Sequence, residues 1–221
     1  MSSRSKSSKI SWPTKDVMKQ IYDQSLWGGK ELDFYSGIGS HDPMVVNIYV
    51  KTVTDFLNSH DHKMTICDIG CGDFNIGQHI FKYSKKYFAI DIVEELIERN
   101  KIKFKTKNLE FLCLDIANDV LPKADVIIIR QVLQHLSNNE IQQILNRLKT
   151  CKYIILTEHL PVGDFTPNTN KIASQGIRLK QQSGVDILSA PFNFKVKKED
   201  VLNEIVLKNG PGKIKTSLFT L

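Results

Sequence analysis

The chain has 221 residues, of which 41% are hydrophobic and 24% charged, and its formal net charge is +6. This length suits one α/β domain with a modest extension, and the composition is ordinary for a globular protein with a full apolar core. No apolar run reaches the length of a membrane span, and the N-terminus lacks the apolar core of a signal peptide. We therefore expect a cytoplasmic protein without a membrane partner.

The cysteines and lysines bear on metal binding and on nucleic-acid binding. The four cysteines, at positions 67, 71, 113 and 151, fit no zinc-ligand spacing, so we expect reduced thiols and no metal. The positive charge would permit binding to nucleic acid. However, the lysines are scattered, and aromatic residues do not alternate with them as a base-stacking surface requires. We interpret the lysines mainly as a solvated surface, which disfavours a nucleic-acid partner and leaves the oligomeric state open.

The N-terminal part divides into a tail and a helical segment. Residues 1–15 are predicted to be a disordered tail, polar and basic at their start, and residues 16–60 an N-terminal helical and lid segment. A glycine-dense loop within it runs from Trp27 to Ser40. Either this loop is a mobile connector whose Trp27 fills the core, or it is a lid over a ligand site. Asp42 as N-cap and Pro43 at the first helical position predict a helix that leads into residues 61–221, the main domain.

Residues 64–91 are the stretch around which this domain is organised. An apolar run from Met64 predicts a buried strand that ends near Asp68, and Gly70-Cys71-Gly72 predicts a tight turn that approaches a ligand closely. A second predicted strand ends at Asp91, 23 residues after Asp68. A carboxylate at this distance and place suits the two hydroxyls of a ribose.

The same stretch argues against a dinucleotide. The dinucleotide fingerprint has glycine at the third position of G-x-G-x-x-G, which allows close packing beside a pyrophosphate. Asn75 occupies that position here, and the acidic Asp73 directly after Gly72 would repel a pyrophosphate. A nucleoside without a pyrophosphate is therefore the better ligand.

The remaining pattern predicts an α/β fold with a doubly wound, mostly parallel, seven-stranded sheet. The third predicted strand, 109–114, ends before Asp115-Ile116, the fourth covers 124–129, and the fifth covers 152–157 and ends before Glu158-His159. Two further strands, 201–207 and 214–221, are predicted to close one sheet edge as an antiparallel pair. The long loop between these groups, 161–195, is expected to cover a substrate pocket.

Several motifs in this order resemble one bacterial branch of the class I S-adenosylmethionine (SAM)-dependent methyltransferases, with the Rossmann-like methyltransferase fold. Relatives in that branch are found with surface-polysaccharide and small-molecule modification genes. The resemblance covers nearly all of the chain from residue 20 onward. Its motifs are Asp68-x-Gly70-x-Gly72, the Trp-Gly-rich segment 27–40, Cys-Gly-Asp-Phe-Asn at 71–75, Arg-x-Val-Leu-x-His-Leu-Ser at 130–137, and Pro-Phe-Asn-Phe at 191–194.

The resemblance implies that SAM is the cofactor and that the main domain is a methyltransferase domain. The residues expected to contact SAM are Trp27, Asp68, Gly70, Cys71, Gly72, Asp91, Ile92, Asp115, Ile116 and Arg130. In this interpretation Asp115 and Ile116 hold adenine, or else Asp115 only caps a turn. Arg130 pairs with the methionine carboxylate of SAM or with an acidic acceptor, or else it forms a buried structural ion pair.

His135 and His159 are the candidate catalytic bases, because histidine titrates in the useful range and each follows a central strand. His135 alternatively only positions its loop or lines the pocket. Two departures from the branch are Gln131, where an acidic residue is expected, and Phe74, where a third glycine is expected. The predicted activity is methylation of an oxygen or nitrogen of a small molecule, such as a sugar, a nucleotide-activated sugar or a phosphorylated metabolite. An RNA methyltransferase and a catalytically silent SAM-binding protein remain alternatives.

Overall fold

A computed structural model describes residues 12–208 and 210–221 of the chain. Its α-helices are α1 (Thr14–Asp23), α2 (Pro43–Asn58), α3 (Gly77–Ile80), α4 (Glu94–Lys103) and α5 (Asn138–Arg147). Its strands are β1 (Thr65–Ile69), β2 (Lys86–Asp91), β3 (Leu109–Cys113), β4 (Val126–Arg130), β5 (Tyr153–Leu160), β6 (Thr166–Pro167), β7 (Ser183–Gly184), β8 (Lys198–Val206) and β9 (Lys213–Thr220). Within these described ranges, none of the helices combines the length and apolarity needed to cross a membrane.

Seven strands form one sheet in the order β3-β2-β1-β4-β5-β9-β8. The first five are parallel to one another, and β9 runs antiparallel between β5 and β8. From β1 the strands are added outward to β3 on one side, and the chain then crosses to the other side of β1 to add β4 and β5. The order of addition therefore reverses between β1 and β4, and a crevice opens at the carboxyl ends of these two strands. The predicted fold class, including the antiparallel pair at one edge, is confirmed.

Both faces of the sheet are covered, which explains the apolar runs of the central strands. Successive residues of a strand point to opposite faces. Ile127 and Ile129 accordingly pack in the cluster that contains Ile141 and Ile144 of α5. Ile128 belongs to the other cluster, with Tyr49 and Val53 of α2. The central strands are thus held between α5 on one side and α2 on the other.

The predicted start of α2 is confirmed by its cap, and α5 also begins at a side-chain cap. The Asp42 carboxylate accepts a hydrogen bond from Met44 N (2.9 Å), and Pro43 is the first residue of α2. Ser137 and Glu140 form the reciprocal capping box that starts α5. At the N-terminus, α1 begins at Thr14, so the predicted tail to residue 15 overlaps it by two residues; residues 1–11 lie outside the described part.

The predicted end of the fifth strand was wrong. β5 continues through Glu158 and His159 to Leu160, because β9 pairs with it as far as Leu160 opposite Lys213. An antiparallel neighbour supplies ladder hydrogen bonds that a parallel strand ending at Thr157 would lack. The two residues therefore lie within a strand rather than in a loop after it. Residues 161–195 include the short β6–β7 pair and a 3₁₀ turn, Arg178–Gln181.

Candidate active site

A cavity of about 1180 Å³ opens at the carboxyl ends of the parallel strands. Ten of the twelve residues expected from the sequence to bind cofactor or act in catalysis line it: Trp27, Gly70, Gly72, Asp91, Ile92, Asp115, Ile116, Arg130, His135 and His159. Its other walls come from the segment between α1 and α2, from residues 175–177 and Lys180, and from the region between β8 and β9. Tertiary structure therefore gathers in one space residues that are up to 132 positions apart in the chain.

The glycine turn after β1 has the geometry that its sequence predicts. Gly70 and Gly72 have φ of 72° and 55°, in the left-handed region that favours glycine. A Cβ on Gly70 would lie 2.3 Å from Val132 Cγ2, and one on Gly72 would lie 2.2 Å from Ser36 Oγ. Backbone and space both require glycine at these two positions.

Asp91 presents a buried carboxylate to the cavity. Its Oδ2 accepts a hydrogen bond from Gly72 N (3.1 Å) and its Oδ1 accepts one from Val93 N (3.1 Å). Burial raises the pKa of this carboxyl, while the N–H donors favour its ionised form. Each oxygen retains acceptor capacity beyond these bonds, so Asp91 can accept from two neighbouring hydroxyls.

Asp115 both caps a turn and lines the cavity. Its Oδ1 accepts from Ala117 N (3.0 Å) and its Oδ2 accepts from Asn118 Nδ2 (2.8 Å). Ile116 beside it also lines the cavity. Asp115 can therefore cap a turn and also face a ligand in the cavity. Its contact with adenine stays a prediction.

Asp68 and Cys71 lie apart from the main cavity. Both line a small separate space beneath the glycine turn. The Asp68 carboxylate accepts a hydrogen bond from Tyr87 Oη (2.8 Å), and burial raises the pKa of Asp68 to about 6. Burial likewise raises the pKa of the Cys71 thiol far above its usual value. Both residues therefore pack against the glycine turn. Their direct contact with a cofactor stays a prediction.

Arg130 at the end of β4 holds the segment that precedes α2. Its Nη2 donates to Gly39 O (2.6 Å), its Nη1 donates to Ser40 Oγ (3.1 Å), and its guanidinium lies over the Tyr49 ring (4.9 Å). Among the described residues, Arg130 has no carboxylate within salt-bridge distance, and its buried Nε has no hydrogen-bond partner. The structural ion pair considered for Arg130 is therefore not formed with any described residue.

Sequence reasoning missed the contacts by which Asp73 anchors the Trp27 segment. The Asp73 carboxylate accepts from Ser36 N (2.9 Å) and bonds to His41 Nε2 (2.6 Å), while Asp73 N donates to Ser36 Oγ (2.8 Å). From the sequence, Asp73 is expected only to repel a pyrophosphate. A buried acid directly after the second glycine was the available signal, but its partners lie 32 and 37 residues earlier.

Trp27 forms part of the cavity wall rather than the core. Its ring packs against Tyr22 (5.5 Å between centroids) and against His135 (5.2 Å). The predicted alternative in which Trp27 fills the core is therefore wrong, because its half-buried ring lies between α1 and the turn that carries His135.

The two histidines line the cavity but are already engaged. His135 Nδ1 faces Ser174 O (3.3 Å), and its Nε2 faces Gln134 Nε2 (3.3 Å). Burial, followed by the nearby Lys171 charge, lowers the pKa of His135 to about 4. His159 Nε2 donates to Pro211 O (2.6 Å), and burial lowers the pKa of His159. Both rings are therefore neutral at pH 7 and weakly basic, so their catalytic role stays a prediction.

Gln131 lines the cavity, and the sequence suggested no role for it. It follows β4 with φ of 56°, which is uncommon for a residue other than glycine. Its N donates to Thr157 O (2.7 Å) and its O accepts from Gln134 Nε2 (3.3 Å). Backbone strain retained at a cavity wall is typical of functional positions.

Together, the strand order, the glycine turn and the carboxylate at the end of β2 define a class I SAM-dependent methyltransferase. A family model described as "Methyltransferase domain" matches residues 60–205, and the chain belongs to this family.

Solved structures share the fold at low sequence identity. The N-methyltransferase NodS from Bradyrhizobium japonicum WM9, in complex with S-adenosyl-L-homocysteine, superposes with a TM-score of 0.64 at 12% identity, over 93% of this chain and 98% of that one. Magnesium protoporphyrin IX methyltransferase from Synechocystis PCC 6803, with bound SAM, gives a TM-score of 0.56 at 15% identity, over 96% and 99%. At these identities the likeness establishes the fold alone.

A curated relative shows similarity over a shorter stretch. It is an uncharacterized RNA methyltransferase of Clostridium tetani, 37% identical over 83 residues. The match covers 35% of this chain and 18% of the relative, so the chain spans about a fifth of that protein's length.

Proposed function

We propose that this protein transfers the methyl group of SAM to an oxygen or nitrogen of a small molecule. The observation that carries the proposal is the continuity of the cavity. Asp91, beside the glycine turn, and the Trp27–His135 pair line the same space. A cofactor and an acceptor can therefore meet there, as transfer in a single step requires.

The residues at the strand ends fit SAM on chemical grounds. Gly70 and Gly72 let the backbone approach the methionine part, and Asp91 accepts hydrogen bonds from the ribose hydroxyls. Asp115 and Ile116 are suited to the amino group and the ring face of adenine. When bound, SAM supplies a methyl group that its sulfonium already activates. The protein then has to orient the acceptor and exclude water.

The opposite side of the cavity is suited to the acceptor. Trp27, His135, Ile177 and Lys180 line it, together with apolar residues between β8 and β9. Ligand pockets usually occupy about 300–1000 Å³, so 1180 Å³ leaves room for two small molecules. The acceptors that the sequence suggested, sugars and phosphorylated or nucleotide-activated metabolites, are of suitable size.

RNA is a second candidate acceptor because the curated relative carries that description. The net charge of +6 is compatible with RNA binding. Salt-dependent binding of a short RNA, together with methyl transfer into RNA but not into small molecules, would favour this alternative.

Calorimetry with S-adenosylhomocysteine tests the cofactor assignment. We expect a dissociation constant in the micromolar range and no comparable response to NAD. Tight binding of NAD without a response to either SAM or S-adenosylhomocysteine would contradict the proposal. Transfer from methyl-labelled SAM into a panel of small acceptors then tests the activity.

A further inference from the structure

We infer that the nucleophile of the acceptor is a carboxylate and that the product is its methyl ester. This inference rests on the proposed function and narrows its acceptor. It follows from the hydrogen-bonding state of the polar groups that line the cavity, from the cations there, and from the requirements of methyl transfer.

The carboxylates of the cavity wall are already hydrogen-bonded. Those of the described residues that line it are Asp42, Asp91, Asp115 and Glu140. Asp42 accepts from Met44 N, and Asp91 and Asp115 each accept two hydrogen bonds. Glu140 accepts from Ser137 N and from the Thr14 hydroxyl. Each of these carboxylates therefore already uses part of its acceptor capacity within the protein.

The histidines of the wall are also engaged within the protein. His135 uses both ring nitrogens in the contacts described above, His159 donates its Nε2–H to Pro211 O, and burial lowers the pKa of both. The Tyr22 hydroxyl is paired with Ser36 Oγ (3.1 Å), and burial raises its pKa well above the usual value. Burial therefore weakens both histidines as bases for the removal of a proton from an alcohol near pH 7.

Lys180 and Gln131 are two groups of the wall that suit an anionic acceptor. Lys180 lines the cavity on the 3₁₀ turn Arg178–Gln181, and that turn is anchored by the buried Arg178. Among the described residues, the Lys180 ammonium forms no ion pair. The Gln131 carboxamide lies beside Gly39 in the cavity wall and forms no hydrogen bond among the described residues, so it can donate to a ligand. A cationic amine would be repelled by Lys180, whereas a carboxylate would pair with it.

Methyl transfer to a carboxylate needs no base. A carboxylate oxygen attacks the methyl carbon, the new O–C bond forms as the C–S bond breaks, and the electron pair of that bond passes to sulfur. The negative charge of the acceptor and the positive charge of the sulfonium cancel, giving a neutral ester and a thioether. No proton moves, so neither buried histidine has to act as a base.

Acceptors matched in skeleton test the assignment. Three sets are offered with methyl-labelled SAM: benzoate, benzyl alcohol and benzylamine; octanoate, octanol and octylamine; glucuronate, glucose and glucosamine. Each product is then treated with alkali, which releases volatile labelled methanol from methyl esters but not from methyl ethers or N-methyl amines. We expect label in at least one acid, volatile after alkali. Because carboxyls with a pKa near 4 are fully ionised, the rate should be flat between about pH 6.5 and 8.5.

A variant series tests the role of Lys180 in binding the acceptor. Lys180→Gln should lower kcat/KM for the acid about tenfold, and Lys180→Arg should restore most of it. Lys107→Gln, an exposed lysine outside the cavity, is the control and should match the wild type. All variants should bind S-adenosylhomocysteine normally, which establishes that the fold is retained.

Two failures are distinguishable. Absence of S-adenosylhomocysteine binding by the wild type overturns the proposed function itself. Label in the alcohols or amines only, or in none of the nine compounds, while S-adenosylhomocysteine still binds, overturns the carboxylate assignment and leaves the cofactor site intact.

Discussion

Glu158 and Arg178 bind opposite ends of one turn, residues 133–136, in which His135 lies. The Glu158 carboxylate accepts from Leu133 N and Gln134 N, both at 3.1 Å. The Arg178 guanidinium donates to Gln134 O (3.1 Å) and to Leu136 O (2.8 Å). The acid meets the free N–H groups and the base meets the free carbonyls, as the dipole of a helical turn favours. Burial raises the pKa of Glu158 to about 8, against the opposing effects of these donors and of Arg178.

Arg178→Met is therefore expected to be strongly destabilising. It leaves buried carbonyls without donors and removes the positive charge near Glu158, which should lower the free energy of unfolding by about 3–5 kcal/mol. Urea unfolding measures this change. Arg147→Met is the control, because exposed Arg147 donates to the single carbonyl of Ala117 and should cost about 1 kcal/mol or less. Equal effects of the two substitutions on the free energy of unfolding would contradict this role of Arg178.

Gly70→Ala tests the steric part of the glycine turn. Gly70 and Gly163 have nearly the same φ, 72° and 76°, but only Gly70 has a neighbour that a Cβ would overlap. Gly163→Ala should cost about 1–2 kcal/mol from backbone strain alone. Gly70→Ala should cost a further 1–3 kcal/mol, approximately, from overpacking against Val132. Adding Val132→Ala to Gly70→Ala should recover part of that difference in urea unfolding; no recovery would show that the overlap is relieved elsewhere.

Asp91→Ala should weaken SAM binding by about 1.5–3 kcal/mol, the range for hydrogen bonds to a charged group. Calorimetry with S-adenosylhomocysteine measures the loss. Glu110→Ala, which removes an exposed carboxylate from β3 outside the cavity, should leave affinity unchanged. A wild-type dissociation constant for Asp91→Ala would show that the ribose binds elsewhere.

The segment 27–40 is predicted to become more protected from hydrogen exchange when S-adenosylhomocysteine binds. Its glycines make it costly to order, and the contacts of Trp27 and Tyr35 offset that cost if the segment closes over the ligand. Residues 141–148, in and after α5, should not change. Equal protection of the segment with and without ligand would identify it as a fixed wall.

Asp73→Ala tests the anchor of this segment. Loss of the contacts to Ser36 and His41 should speed exchange at residues 36–41 about 10- to 100-fold, equivalent to about 1.5–3 kcal/mol. Asp55→Ala, an exposed carboxylate on α2 paired only with Lys51, is the control and should leave those rates unchanged.

The sequence by itself determined the sheet, the glycine turn after β1 and the carboxylate that ends β2. Period and apolar runs predict elements because side-chain burial follows local geometry, as at β4, where alternate isoleucines enter opposite cores. Gly70, Gly72 and Asp91 were predictable for a related reason. A turn that needs positive φ and a carboxylate that ends a strand are specified within one short stretch of chain.

Tertiary structure decided the contacts that hold the other walls of the cavity. Arg178 lies 42 to 45 residues from three of the carbonyls that accept its hydrogen bonds, and Asp73 lies 37 residues from Ser36, so no local pattern predicts these contacts. The end of β5 depended on pairing with β9, and Gln131 matters because of a backbone angle that sequence does not show. Such features arise from the packing of distant segments, where hydrogen-bond satisfaction and excluded volume choose the partners.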